Sequence, residues 1–194
     1  MKKIRVVFCF ILLIVLLCGC SGTASVKKNT IMVHKDGSVT GAIVETFDKE
    51  YYDKDSLKEF TLQEVAAYNK KVGKDKISVK KLNVKKGKVV LYLGYKDSVA
   101  YKEFNKKELF AGTVAEAYDA GYDLNVSLIN ANDKTDVIGK EKLLELGSNH
   151  IVIYEEAVNV ETNGRILYAS DDVTVTGRRT AEKAKEGLSY IVYK

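Results

Sequence analysis

Nine lysines fall within nineteen residues: Lys70, Lys71, Lys74, Lys76, Lys80, Lys81, Lys85, Lys86 and Lys88. Ammonium groups at that density make an electrostatic footprint for a polyanion such as anionic lipid or a cell-wall polymer. Each lysine contributes about 1 kcal/mol beside an anionic surface. The stretch contains no arginine, which favours a diffuse field over bidentate phosphate reading. The alternative is a solvated strand edge on which lysines block edge-to-edge pairing.

Other residue types that could do chemistry are sparser. Asn130 to Asp136, followed by Glu141, has oxygen ligands at calcium-loop positions one, three and twelve, but Lys134 stands at five and Thr135 replaces the glycine needed at six. A polar turn leading into a helix near Asp136 explains it better. The two histidines, His34 and His150, each fall in an expected strand. A triad would need Ser or Cys beside one of them, and the chain has no Gly-x-Ser-x-Gly elbow, no His-Glu-x-x-His and no phosphate-binding loop of the Walker type. The doublets Glu155-Glu156 and Asp171-Asp172 carry the carboxylates a glycosidase needs. Neighbours on a strand point to opposite faces, so an acid/base pair would take one member from each doublet. Arg178-Arg179 after Gly177 reads as a solvated turn that could grip an anion. Tyr51, Tyr52, Tyr92, Tyr95, Tyr101, Tyr118 and Tyr122 could line a sugar- or peptide-binding groove, or complete the rim of a small core. No metal site and no cofactor is expected.

The cysteines direct attention to the start of the chain. Cys9, Cys18 and Cys20 are the only three. Lys2, Lys3 and Arg5 precede an unbroken apolar run from Val6 to Leu17, the charged and apolar regions of a secretory signal. The run is short for a membrane span, which needs about 20 apolar residues. Leu17-Cys18-Gly19-Cys20 resembles the lipobox of bacterial lipoproteins, with Cys18 in a slot that more often holds Ala, Ser or Thr. The resemblance implies that Cys20 receives a diacylglyceryl thioether (hence palmitate) and becomes the N-terminus after cleavage behind Gly19. It also implies export and an outward-facing lipid anchor in the bacterial cell membrane. A plain signal peptide or short membrane anchor is the alternative for the same residues.

Removing residues 1–19 leaves one thiol, Cys20, so the exported part has no disulfide and no thiolate metal site. Three of the 31 Lys and Arg leave with the signal, and the remaining 28 nearly balance 26 acidic residues. A charge so close to balanced does not suggest a nucleic-acid binder, and no nucleic-acid partner is expected. The expected organisation is a signal peptide (1–19), a lipidated Cys with a tether (20–29), and a single domain (30–194).

The domain must hold together by apolar burial, and its Tyr, Val and Ile content with no proline favours strands. Asp36-Gly37 predicts a hairpin between 30–35 and 38–47. The successive patterns Ser56-x-x-Glu59 and Thr61-x-x-Glu64 predict capping boxes for a helix over 57–72, stopped by Gly73. A second hairpin spans 76–95 around Lys86-Gly87-Lys88, with a bulge where the apolar phase slips between Val79 and Leu82. Helical stretches follow near 98–110 and from Thr113-x-x-Glu116 to Gly121. Then come a strand over 123–129, a helix over 137–146, and strands over 150–155, 157–161, 165–169, 172–176 and 189–193. Asn163-Gly164 predicts a hairpin turn, and Ala181–Lys185 one helical turn. The sum is an α+β fold: a mainly antiparallel sheet built from hairpins, a few short helices and a C-terminal β-meander.

The expected function is that of a membrane-anchored surface lipoprotein whose domain is a non-catalytic binding or interaction module near the envelope. Its partners are the bilayer through Cys20 and anionic lipid, cell-wall polymer or another envelope protein. The rivals are a cell-envelope hydrolase, for example one acting on glycan, and a structural or assembly factor.

Overall fold

The computed structural model describes residues 26–194, so the signal segment and Cys20 lie outside the described residues. The fold is α+β. In chain order the elements are β1 (Thr30–Val33), β2 (Val39–Thr46), α1 (Lys54–Val72), β3 (Ile77–Lys85), β4 (Lys88–Tyr95), α2 (Ser98–Asn105) and β5 (Leu109–Thr113). There follow α3 (Val114–Asp119), β6 (Leu128–Asn130), β7 (Val137–Ile138), α4 (Lys140–Glu145) and β8 (His150–Tyr154). The C-terminal meander comprises β9 (Asn159–Glu161), β10 (Ile166–Ala169), β11 (Val173–Val175), β12 (Thr180–Lys183) and β13 (Ser189–Tyr193).

These strands form two sheets. Sheet A has the order β11-β12-β9-β1-β2-β4-β3 and sheet B the order β5-β8-β13-β10-β6-β7. Every pairing is antiparallel except β1 with β9, so sheet A is mixed. The sheets share one core: Ile31, Val39 and Leu93 from sheet A meet Val152, Tyr154 and Ile191 from sheet B. Period-two alternation turns the next residues of sheet B the other way. Ile151, Ile153 and Val192 pack with Val114 and Ala117 of α3 and Leu143 of α4 in a second cluster. Sheet B is therefore the middle layer.

Several local expectations hold with their mechanism. The apolar slip in β3 is a bulge between Val79 and Lys81. Thr113 and Glu116 form the reciprocal capping box: the Thr113 N–H donates to Glu116 Oε2 at 2.7 Å and the Glu116 N–H to Thr113 Oγ1 at 3.1 Å. Gly73 ends α1 at φ 68°, its N–H reaching the Asn69 and Lys70 carbonyls.

Others need correction. The cap of α1 is Asp53, whose Oδ1 accepts from the Ser56 N–H at 2.7 Å; Thr61 instead donates back to the Leu57 carbonyl from inside the helix. The helix begins earlier because a carboxylate three residues upstream of Ser56 satisfies the orphan donors first. The 98–110 helix stops at Asn105, since Lys106 turns left-handed (φ 57°) and Leu109 and Phe110 pair with Tyr154 and Ile153. Of the expected 123–129 strand only Leu128 and Ile129 pair, in a strand that runs on to Asn130, and the helix over 137–146 shrinks to Lys140–Glu145 because Val137 and Ile138 add a strand beside Ile129 and Leu128. Ala181–Lys185 is not helical: Thr180–Lys183 pairs with both β11 and β9. Nor does Asn163-Gly164 close a hairpin, since β9 lies in sheet A and β10 in sheet B. Gly164 is required for a different reason. A Cβ there would run into the backbone carbonyl of Lys194, which exchanges hydrogen bonds with Arg165.

Candidate functional site

The bulge in β3 decides which lysines converge. Ahead of it, Ile77 and Val79 lie opposite Tyr95 and Leu93; past it, Lys81, Asn83 and Lys85 lie opposite Tyr92, Val90 and Lys88. The extra residue shifts the phase by one, so Leu82 and Val84 keep company with Leu91 and Val89. Lys81 and Lys85 turn to the outer face. On β2 the same face carries Ala42, Val44 and Thr46, the partners of Tyr92, Val90 and Lys88.

There the outer face forms a pocket of about 450 Å³. Val44, Val90 and Tyr92 make its floor, and Lys81, Lys85, Lys86 and Lys88 stand around it. A fifth ammonium comes from Lys27, which lines the pocket together with Val26. The segment is fixed on the sheet by Asn29, whose Oδ1 accepts from the Val44 N–H at 2.7 Å and whose carbonyl accepts from the Asn159 N–H. All five lysines are exposed, and among the described residues none forms an ion pair. Five unneutralised cations over an apolar floor suit an anionic group attached to a small apolar body.

The expected nine-lysine cluster does not form one face. Lys70 and Lys71 belong to the last turn of α1, and Lys71 borders a groove with Ile43, Leu91 and Leu93 on the core side of the sheet. Lys74 follows the helix end, its carbonyl accepting from the Lys76 N–H. Lys76 is bound to Asp97 at 2.6 Å. Lys80 lies on the outer face but stretches over Gly94, where a Cβ would collide with its stem, toward a second pocket of about 390 Å³. A lysine run spread over a helix end, a loop and a bulged strand cannot share one surface.

That second pocket holds His34, Asp36 and Ser38 together. The hydrogen bonds run the wrong way for a triad. Ser38 Oγ donates to Asp36 Oδ1 at 2.6 Å, while His34 Nε2 faces Thr40 Oγ1 at 2.8 Å. The serine is tied to the carboxylate rather than to the imidazole that should take its proton. That bond, with a second from the Ser38 N–H to the same oxygen at 3.1 Å, holds the Asp36 carboxyl below its ordinary range. His150 stacks on Tyr193, ring centres 5.3 Å apart.

Three of the four doublet carboxylates are likewise engaged, while Asp171 is exposed. Glu156 accepts from Tyr101 Oη at 2.6 Å and Asp172 from Ser189 Oγ at 2.7 Å, while Glu155 is 4.0 Å from Lys107. In the Asn130–Glu141 stretch, Asn130 donates to Asp136 at 2.7 Å and Asp133 accepts from Thr135, so the oxygens satisfy their own turns. No group of three metal-ligating side chains occurs among the described residues. Arg178 borders an open pocket with Arg165, and Arg179 lies 3.9 Å from Glu161. The tyrosines share no groove: Tyr51, Tyr52 and Tyr118 are exposed, Tyr95 and Tyr101 are core residues, and Tyr92 floors the lysine pocket.

Two lysines escaped the sequence reading. Lys27 lies in the expected tether, and only the fold shows it joining Lys81. Lys183 is 5 % exposed. Its ammonium donates to the carbonyls of Tyr154, Glu155 and Gly187 and lies 4.7 Å from the centre of the Tyr154 ring. Burial pushes its pKa down against the nearby Asp172, Glu155 and Glu186 charges. It fastens the loop after β12 to the end of β8. Once the segment is read as a strand, Ala181 and Lys183 alternate inward, which was the missed signal.

Compared with protein-family models, with curated proteins and with solved structures, the chain finds no match in any of the three.

Proposed function

We propose that the chain is a bacterial lipoprotein, exported and held outward-facing on the cell membrane through diacylated Cys20, with a domain that acts as a non-catalytic binding module for an anionic partner. Leu17-Cys18-Gly19-Cys20 supports the anchor. The convergence of Lys27 with Lys81, Lys85, Lys86 and Lys88 around one pocket carries the binding half. Against the hydrolase reading stands the hydrogen bonding of its best candidate residues, which commits Ser38, Glu156 and Asp172 to structural partners.

Each half has its own test. Cells fed a palmitate analogue label the wild-type chain and not Cys20→Ser, and globomycin leaves the wild type unprocessed; an unlabelled wild type, or equal label on both, ends the lipoprotein reading. For binding, a Lys81→Gln/Lys85→Gln/Lys86→Gln/Lys88→Gln chain elutes from a phosphate-bearing matrix at lower salt than wild type. A chain of the same net charge, Lys70→Gln/Lys71→Gln/Lys134→Gln/Lys140→Gln, elutes close to wild type. Equal elution of the two variants means that net charge, not the pocket, does the binding.

A further inference from the structure

We infer that the anionic partner of the lysine pocket is the membrane itself: the pocket seats phospholipid headgroups of the leaflet that carries the anchor, and so fixes which face of the domain lies on the bilayer. The inference rests on the lipoprotein reading above. Its physical basis is that the pocket and the anchor attachment point are the same place. Val26 and Lys27 line the pocket, and Val26 stands six residues after Cys20. Six residues reach about 20 Å fully extended and about 13 Å as a flexible coil. A compact domain of this size measures roughly 40 Å across, from a radius of gyration near 15 Å. A diacylated Cys20 therefore brings the outer face of sheet A to the headgroups and holds sheet B's far side away from them.

Charge decides what happens at that distance. The Debye length at physiological salt is about 8 Å, so lysines confined within 13–20 Å of an anionic leaflet move in and out of its field, and each that settles improves retention about fivefold. Because the tether already confines the domain, these small factors act on an intramolecular step. Geometry agrees with charge. Thr46 pairs with Lys88, next to the Lys86-Gly87 turn, so the lysine-bearing hairpin tip stands at the end of the sheet where the chain enters. Val44, Val90 and Tyr92 beneath the ammonium groups offer apolar contact to the glycerol portion of a headgroup. A glycerol-phosphate wall polymer shares the anion chemistry, but the tether places the pocket against the leaflet.

The test uses the full-length lipidated protein in vesicles of phosphatidylcholine alone or with about one-third phosphatidylglycerol, read by amine-reactive labelling and mass spectrometry. In anionic vesicles at low salt Lys27, Lys81, Lys85, Lys86 and Lys88 are protected about fivefold or more relative to neutral vesicles, and Lys134 and Lys140 are unchanged. In the Lys81→Gln/Lys85→Gln/Lys86→Gln/Lys88→Gln chain, Lys27 loses its protection. Equal labelling in the two vesicle types overturns the inference, as does protection of Lys27 that survives the four substitutions. Protection by soluble poly(glycerol phosphate) but not by phosphatidylglycerol overturns it in favour of a wall polymer. Palmitate content of the same preparation separates the two failures: an acylated but unprotected chain refutes only the docking, whereas an unacylated chain refutes the lipoprotein reading.

Discussion

In sheet B, Ile151 and Ile153 face α3 and α4 while Val152 and Tyr154 face sheet A, and all four are fully buried. In sheet A, Leu91 and Leu93 face the shared core, but Val90 and Lys88 on the same strand look outward to the Val26–Lys27 segment and solvent. A sheet buried on both faces is committed to stability, because any side chain there is surrounded by packed neighbours. A sheet with one open face can change residues on that face without disturbing the core. Sheet B and the core side of sheet A hold the fold, and the outer side of sheet A is the face on which the proposed binding would fall.

The largest expected effect is alkaline unfolding. Burial raises the hydroxyl pKa of Tyr95 and Tyr193 from 10.0 to about 12, and Tyr101, Tyr154 and Tyr190 are pushed up for the same reason. A raised folded pKa means that the unfolded chain loses its proton first. Stability is intact below pH 10 and is lost as pH climbs through about 12. Lys183 works the other way: its depressed pKa makes stability rise toward 10.5, but one amine does not offset five phenols. Tyrosinate absorbance and circular dichroism should change together above pH 10. Gradual tyrosinate formation with the dichroism unchanged would show the core to be open to solvent.

Next come single core truncations. Ile153→Ala removes a fully buried side chain from the middle layer and should cost about 3–4 kcal/mol. Val90→Ala on the half-buried outer face should cost under about 1 kcal/mol. Urea midpoints of the two variants measure the contrast directly, and comparable losses would abolish the distinction between the sheets. Lys183→Met keeps volume and leaves three carbonyls without their donor, at about 2 kcal/mol. A cost near zero would mean that the carbonyls find other donors.

Most of this architecture could be read locally. The β3 bulge was legible because an apolar pattern of period two cannot tolerate a one-residue slip, and the Thr113 box because both of its bonds lie within four residues. Apart from the cap of α1, which moved three residues upstream to Asp53, what failed was non-local. Thr180–Lys183 looks helix-tolerant alone and becomes a strand only because β9 and β11 flank it. Asn163-Gly164 has turn chemistry, yet its glycine answers to the backbone of Lys194, thirty residues away. The site shows the same limit. Four of its lysines were visible as a cluster, but the split from the other five follows from the bulge and the docking of α1. Lys27 joins from more than fifty residues upstream.

The smallest effects sharpen the division of labour most. Lys86 and Lys106 are the two non-glycine residues with positive φ among the described residues, at 52° and 57°. An L side chain in that region costs about 1 kcal/mol, and Asn or Gly tolerates it better. Lys106→Gly, at the end of α2 and away from the pocket, should gain about 0.5–1 kcal/mol and leave anion binding unchanged. Lys86→Asn relieves the same strain in the β3–β4 turn, with a similar gain in urea midpoint, but it removes a cation from the pocket and should weaken binding about fivefold. Opposite signs for stability and binding at Lys86, with a stability gain alone at Lys106, would show a strained lysine kept for its charge. If both substitutions only stabilise, Lys86 is a turn residue and the pocket binds with four lysines.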